Sequence, residues 1–353
     1  MRRRWLDEAG YAEIVALCQS LPGPTSSEVG IAIGLLRAGP VGAFLAWLGF
    51  TLPSAALLVL FALVVDRIGD QAAGPIHGLN LVAVAVVALA VWSMARALAW
   101  DVLRGPIAIA AAAVVLAFPS ALTQIAVIAV AGLAGWALLR ASVDATAPHV
   151  AVPMGRRAAV ACATLFFALL FLLPLLRAAG PALAVFDSFY RAGALVFGGG
   201  HVVLPLLQAE VVPPGWVTQE RFLAGYGAAQ AVPGPLFTFA AYLGAVLRIE
   251  PNGVGGAALA LVAIFVPAFL LVLAALPSWA ALRARADAQA ALRGINAAVV
   301  GILFAALVTP AATTAIRAPA DAAFALAALA MLLGKLPPWF VVITIAAIAS
   351  VLR

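Results

Sequence analysis

The chain has 353 residues, of which 66% are hydrophobic and 10% charged, and its formal net charge is +6. A water-soluble domain carries about 25% charged residues, so the composition excludes an ordinary soluble domain and makes lipid the main solvent. The positive balance does not make a nucleic-acid binder, because the arginines stand singly at the ends of apolar segments instead of forming a patch.

Arg2, Arg3 and Arg4 open the chain and are followed by Trp5-Leu6-Asp7-Glu8, which lacks the apolar core of a signal peptide. The segments Glu13–Leu21 and Ser26–Leu36 are each about ten residues, or ~15 Å as helix. That is half of a ~30 Å hydrocarbon core. Between them lies Gln19-Ser20-Leu21-Pro22-Gly23-Pro24, which cannot continue a helix: proline lacks the N–H, clashes with the preceding turn and pushes the residue before it out of the α region. The sequence therefore predicts a re-entrant hairpin, with Arg2–Arg4 before it and Arg37 after it on the cytoplasmic face. Apolar stretches that predict helices at or near bilayer length follow at Val41–Val65, Leu79–Ala95, Ala121–Leu139, Ala158–Leu176, Gly253–Leu276 and Ile295–Val308. They are unbroken and rich in Ala and Leu, so helices are expected and not the short alternating strands of a membrane barrel.

A second break, Gln230-Ala231-Val232-Pro233-Gly234-Pro235, repeats the first at a constant offset, 22 + 211 = 233. The same offset pairs Trp5 with Trp216 and Tyr11 with Phe222. After small length differences, Pro53 pairs with Pro267, and Gly78-Leu79-Asn80 pairs with Gly294-Ile295-Asn296. The expected organisation is a first repeat over 1–140, a linker over 141–157 containing Asp144, Pro148, His149, Pro153, Arg156 and Arg157, and a second repeat over 158–353. Charge sets the relative orientation. The loop with Asp66, Arg67 and Asp70 is net acidic, whereas its counterpart with Arg283, Arg285, Asp287 and Arg293 is net basic. Equivalent loops on opposite sides of a membrane mean inverted repeats. Broken helices at matching positions of two such halves point to a transporter's binding site.

Candidate site residues cluster at the breaks. Thr25, Ser26 and Ser27 open a half-helix whose first amides lack intrahelical acceptors, and a helix N-terminus favours oxyanions. Plain N-capping is the alternative for any one hydroxyl. Glu28 follows, and a carboxylate at bilayer depth is costly and usually functional. It reads either as a proton carrier or as a first-turn acid facing a water-filled vestibule. The run Arg191-Ala192-Gly193-Ala194-Leu195-Val196-Phe197-Gly198-Gly199-Gly200-His201 can break a helix and expose amides. Arg191 needs an anionic partner, for which Asp187, Glu210 and a transported anion all qualify. His201 is either a titrating group or a structural hydrogen-bonder. Gln19 and Gln230 precede the breaks, where each can satisfy freed backbone or face a ligand. Asn80 and Asn296 are expected to open helices, with capping as their role. Cys18 and Cys162 give no disulfide framework and are read as packing residues.

At these residues the chain resembles the CHR family of chromate transporters. The motifs that carry the likeness are Gln19 to Pro24 with Thr25-Ser26-Ser27, Gly49 to Pro53, Phe197 to Gly200 with Pro205, and Gln230 to Pro235. The resemblance implies a multi-pass protein of the bacterial inner membrane that exports chromate, with sulfate as a competing ligand, at the expense of the proton gradient. It implies no cofactor, no metal and no catalytic residues. The substrate-binding set it implies is Gln19, Pro22, Gly23, Pro24, Thr25, Ser26, Ser27, Arg191, Phe197, Gly198, Gly199, Gly200, Gln230, Pro233, Gly234 and Pro235, with Glu28 and His201 for proton coupling. Partners are the small oxyanion and the lipid bilayer, with no nucleic acid and with a homodimer left open. Two departures are visible. The family's first half also opens with a Phe-Gly-Gly helix, whose Phe would fall at 197 − 211 = −14, ahead of Met1, so that helix is expected to be lacking. Position 28 would carry an uncharged residue. An uptake permease for sulfate-type oxyanions and an inactive remnant are the alternatives; no motif supports an enzyme or an ATP-driven pump.

Overall fold

The structure, a computed structural model, describes residues 6, 8–68, 73–140, 155–279 and 285–351. The described residues form helices and no strands. The first hairpin consists of α1 (Glu8–Ser20) and the opening arm of α2 (Thr25–Ile68). α2 is not one rod: Ala38 and Gly39 leave helical geometry, Gly39 with φ of 64°, and Pro40 follows. Past this kink the chain doubles back, so that a methyl group added to Gly34 would collide with the carbonyl of Gly42. α3 (Ala73–Leu98), α4 (Arg104–Ala117) and α5 (Ala121–Leu138) complete the first half. α6 (Arg156–Leu176), α7 (Pro181–Ala194) and α8 (Val203–Val211) come next. The second hairpin is α9 (Gln219–Ala231) and α10 (Phe239–Ala245). α11 (Gly253–Ala275), α12 (Ala286–Ala306), α13 (Pro319–Leu333) and α14 (Pro338–Val351) follow.

The repeat inferred from motifs extends to whole elements. The offset that joins the Pro-Gly-Pro cores carries α1 onto α9 end to end, since 8 + 211 = 219 and 20 + 211 = 231. α4 and α5 begin where α13 and α14 do, at 104 + 215 = 319 and 121 + 217 = 338. The second half repeats the glycine fold-back too, because Gly244 meets the backbone of Gly256 as Gly34 meets that of Gly42. Among the described residues, α6, α7 and α8 have no mate.

The halves are interlocked, not side by side. α12 packs on α4 and α5 of the first half, and its mate α3 packs on α13 and α14 of the second. One pair of repeat-mates explains how the helices come so close. A Cβ on Gly78 would lie 2.7 Å from the Cα of Ala346, and one on Gly294 would lie 2.7 Å from the Cα of Gly135. Small residues at such crossings let membrane helices pack by backbone contact, where the hydrophobic effect gives no drive.

Six helices among the described residues are long and apolar enough to cross a membrane: Thr25–Val65, Ala73–Leu98, Ala121–Leu138, Arg156–Ala179, Gly253–Ala275 and Ala286–Ala315. Their outward faces are apolar, with Phe171, Leu175, Val41, Leu122 and Val254 all strongly exposed. This is an integral membrane protein. Three expectations need correction. Arg156 and Arg157 belong to α6, whereas 141–154, including Asp144, Pro148, His149 and Pro153, lie outside the described residues, as do Asp70 and Arg283. The apolar run at 295 belongs to a helix that begins nine residues earlier, at Ala286. Asn80 and Asn296 sit inside α3 and α12, so neither is a cap.

Candidate functional site: two repeat-related cavities

Both breaks and the glycine run come together in the structure. The amide of Gly23 donates to the carbonyl of Val196 at 2.8 Å, tying the first break to the loop after α7. Gly23 and Gly234 have φ of 148° and 141°, a region that glycine alone enters freely. Each is also braced by a polar side chain. A methyl group on Gly23 would strike Oε1 of Glu28, and one on Gly234 would strike Oγ of Ser54, which donates to the carbonyl of Pro233.

Two open cavities flank this junction. The first, about 660 Å³, is lined by Gln19, Leu21, Gly23 and Thr25, by Ser93, Met94, Ala97 and Leu98 of α3, and by Gly198, Gly199 and Asn296. The second, about 510 Å³, is lined by Gln230, Val232, Gly234 and Leu236, with Pro24, Thr25, Ser26, Gly199, Gly200 and His201 among the remaining residues. The hairpin contributions are repeat-mates: 19, 21, 23 and 25 become 230, 232, 234 and 236 on adding 211. Each hairpin thus builds one cavity in the same way, and the two cavities share Thr25 and Gly199.

The chemistry at the shared edge is neutral and donor-rich. Among the described residues, no Asp, Glu, Lys or Arg lines either cavity. At the start of α2 the carbonyl of Pro24 accepts from the amides of Ser27 and Glu28 at 2.8 and 3.0 Å. Thr25 and Ser26 occupy the first helical positions, whose amides have no intrahelical acceptor, and both residues line a cavity. Oriented amides and hydroxyls at a helix N-terminus accommodate an anion without adding a buried cation. The second break differs. It is followed by a single 3-10 turn, Leu236–Thr238, whose Thr238 hydroxyl is spent on the carbonyl of Pro235 at 2.8 Å. Beside it, Gln230 has an Nε2 without a hydrogen-bond partner among the described residues, and Nδ1 of His201 lies 2.7 Å from the hydroxyl of Tyr226.

The structure does not bring every candidate to the cavities. Ser27 is buried away from both, its hydroxyl unpartnered, so two of the three hydroxyls face a cavity. Pro22 and Phe197 line neither cavity. Arg191 belongs to an ion-pair cluster in which its Nη2 is 2.5 Å from Asp187 and 3.3 Å from Glu210. Arg177 reaches the same two acids at 3.2 and 3.4 Å, and Ser188 donates to Glu210 at 3.0 Å. Two cations face two anions there, which leaves no net charge to hold a substrate. Glu28 is fully buried behind Gly23, and neither carboxyl oxygen has a hydrogen-bond partner among the described residues. Its repeat-mate, by 28 + 211 = 239, is Phe239, which stacks with Tyr242. The residues that motif reading missed are those of α3, Ser93 above all, while Asn296 had been read as a helix cap and not as a cavity residue.

Comparison with known proteins agrees with this architecture. A family model described as chromate transporter matches residues 1–136 and 183–351, two regions consistent with two halves. A chromate transport protein of Pseudomonas aeruginosa is 29% identical over 323 residues, covering 90% of this chain and 75% of that protein. A chromate transport protein of Cupriavidus metallidurans is 25% identical over 351 residues, covering 94% and 80%. An uncharacterized transporter of Methanocaldococcus jannaschii is 23% identical over 311 residues, covering 86% and 75%. No solved structure matches. With matched regions covering most of its length, the chain belongs to the chromate transporter family.

Proposed function

We propose that the chain exports chromate across the bacterial inner membrane, coupled to proton entry, and that the anion passes from one cavity to the other beside Thr25 and Gly199. The observation that carries this reading is the pair of repeat-related cavities meeting at a helix N-terminus. A tetrahedral dianion there is met by the Thr25 and Ser26 amides and hydroxyls, by the amide of Gly199 and, from the two sides, by Gln19 and Gln230. Sulfate has the same shape and charge and competes. Glu28 supplies the coupling. A lone buried charge costs several kcal/mol, so the carboxyl takes up a proton from the acidic side once the anion has left and releases it on the cytoplasmic side, and proton and anion move in opposite directions. Its contact with Gly23 links that change to the break.

The test uses inside-out membrane vesicles with an imposed acid-inside gradient. Chromate should accumulate, a protonophore should abolish accumulation, and excess sulfate should reduce it. Accumulation only in right-side-out vesicles would make the protein an uptake permease instead.

A further inference from the structure

The polar groups around Arg191 point to a second aqueous feature, outside both anion cavities. Gln124 of α5 and Arg191 of α7 are 6% and 9% exposed. Oε1 of Gln124, an acceptor, and Nε of Arg191, a donor, have no hydrogen-bond partner among the described residues. Both residues line one small cavity of about 10 Å³, together with Glu210, Leu206 and Leu195. That is room for about one water molecule, and a buried water needs two to four polar partners; an unused donor, an unused acceptor and a carboxylate supply three. Gln124 also lines a larger neighbouring cavity of about 150 Å³ with Gln208, Gln219 and Thr309. In that cavity Gln208 donates to Gln219 at 2.7 Å, and Nε2 of Gln219 is again unpartnered. Thr309 has non-helical backbone angles inside a π-helical segment at the end of α12, the kind of interruption that opens space beside a helix.

We propose that Gln124, Arg191 and Glu210 bind an internal water, and that a file of water continues from it through the glutamine-lined cavity to the surface. This inlet hydrates the Asp187–Arg191–Glu210–Arg177 cluster, which explains how four charges persist in an apolar chain without contact with the transported anion.

Hydroxyl-radical footprinting of the purified protein in lipid nanodiscs tests the inlet, because oxidation of a buried side chain requires adjacent water. Leu206, at the small cavity, should be modified severalfold faster than the fully buried Leu204 and Leu207. Gln124→Leu should lower the Leu206 rate to theirs while leaving Leu236, in the anion cavity, unchanged. Equal rates for Leu206 and Leu204 in the unsubstituted protein would overturn the proposal, as would undiminished Leu206 labelling in Gln124→Leu. Should that variant fail to fold, Gln219→Leu blocks the outer end of the file and must produce the same drop. The readout needs no transport, so its failure leaves the chromate reading standing.

Discussion

At the scale of single residues, the division of labour among Thr25, Ser26, Ser27 and Glu28 is the sharpest consequence of the geometry. A hydrogen bond to a charged ligand contributes about 1.5–3 kcal/mol. Thr25→Val and Ser26→Ala should each weaken apparent chromate affinity by about ten- to hundredfold, measured as the concentration for half-maximal vesicle uptake. Ser27→Ala, which alters a hydroxyl facing neither cavity, should leave affinity unchanged. Equal losses at Ser26 and Ser27 would show that the anion does not sit in this cavity. Glu28→Gln keeps the size of the side chain and removes its titration. It should abolish gradient-driven accumulation while preserving chromate binding and counterflow exchange; accumulation that still follows the pH gradient would remove Glu28 from the coupling step. The motif Thr25-Ser26-Ser27 was visible in the sequence, but which hydroxyl faces the cavity depends on the helical phase after Pro24, and only the fold sets that. Arg191 was ambiguous for a similar reason: its acid partner Glu210 lies nineteen residues on, across the glycine loop.

At the scale of elements, glycines at helix crossings decide whether the halves can interlock. Gly78→Ala and Gly294→Ala put a methyl group against backbone that cannot move aside. Overpacking of this kind costs about 1–3 kcal/mol, so both variants should melt several degrees lower in a detergent or nanodisc stability assay. Gly30→Ala is the control: nothing lies within 4 Å of its added methyl, and alanine gains up to about 1 kcal/mol over glycine in a helix, so its melting temperature should hold or rise. A drop at Gly30 as large as at Gly78 would mean that the effect is not the crossing. The sequence marked these glycines as repeat-mates, and it placed both hairpins and their breaks. It did not show that α3 and α12 exchange partners between halves, because an offset identifies equivalent elements without saying what each one touches. Asn296 was misplaced as a cap for a different reason. An apolar run beginning at Ile295 hides the more polar turns Ala286–Gly294 that belong to the same helix.

At the scale of the whole molecule, the open question is the direction of the symmetry. Reciprocal packing of α3 on α13 and α14, and of α12 on α4 and α5, requires a pseudo-twofold relation between halves, but an axis along the membrane normal satisfies it as well as one in the membrane plane. Function separates the two. If the halves are parallel, the repeat-related cavities open to the same side and their meeting at Thr25 and Gly199 leads nowhere. If they are inverted, the cavities open to opposite sides, and the hairpins with the glycine loop form the septum an anion must cross. The charge difference between the α2–α3 and α11–α12 loops favours inversion. Exposed residues in the next pair of equivalent loops allow a direct measurement, since Val102 stands just before α4 and Ala318 just before its mate α13, and both are exposed. In a cysteine-free background, Val102→Cys and Ala318→Cys should react with a membrane-impermeant maleimide from opposite sides, one in intact cells and the other only in inside-out vesicles. Labelling of both from the same side would establish parallel halves, and the path through Thr25 and Gly199 would then have to be abandoned even if chromate transport itself were confirmed.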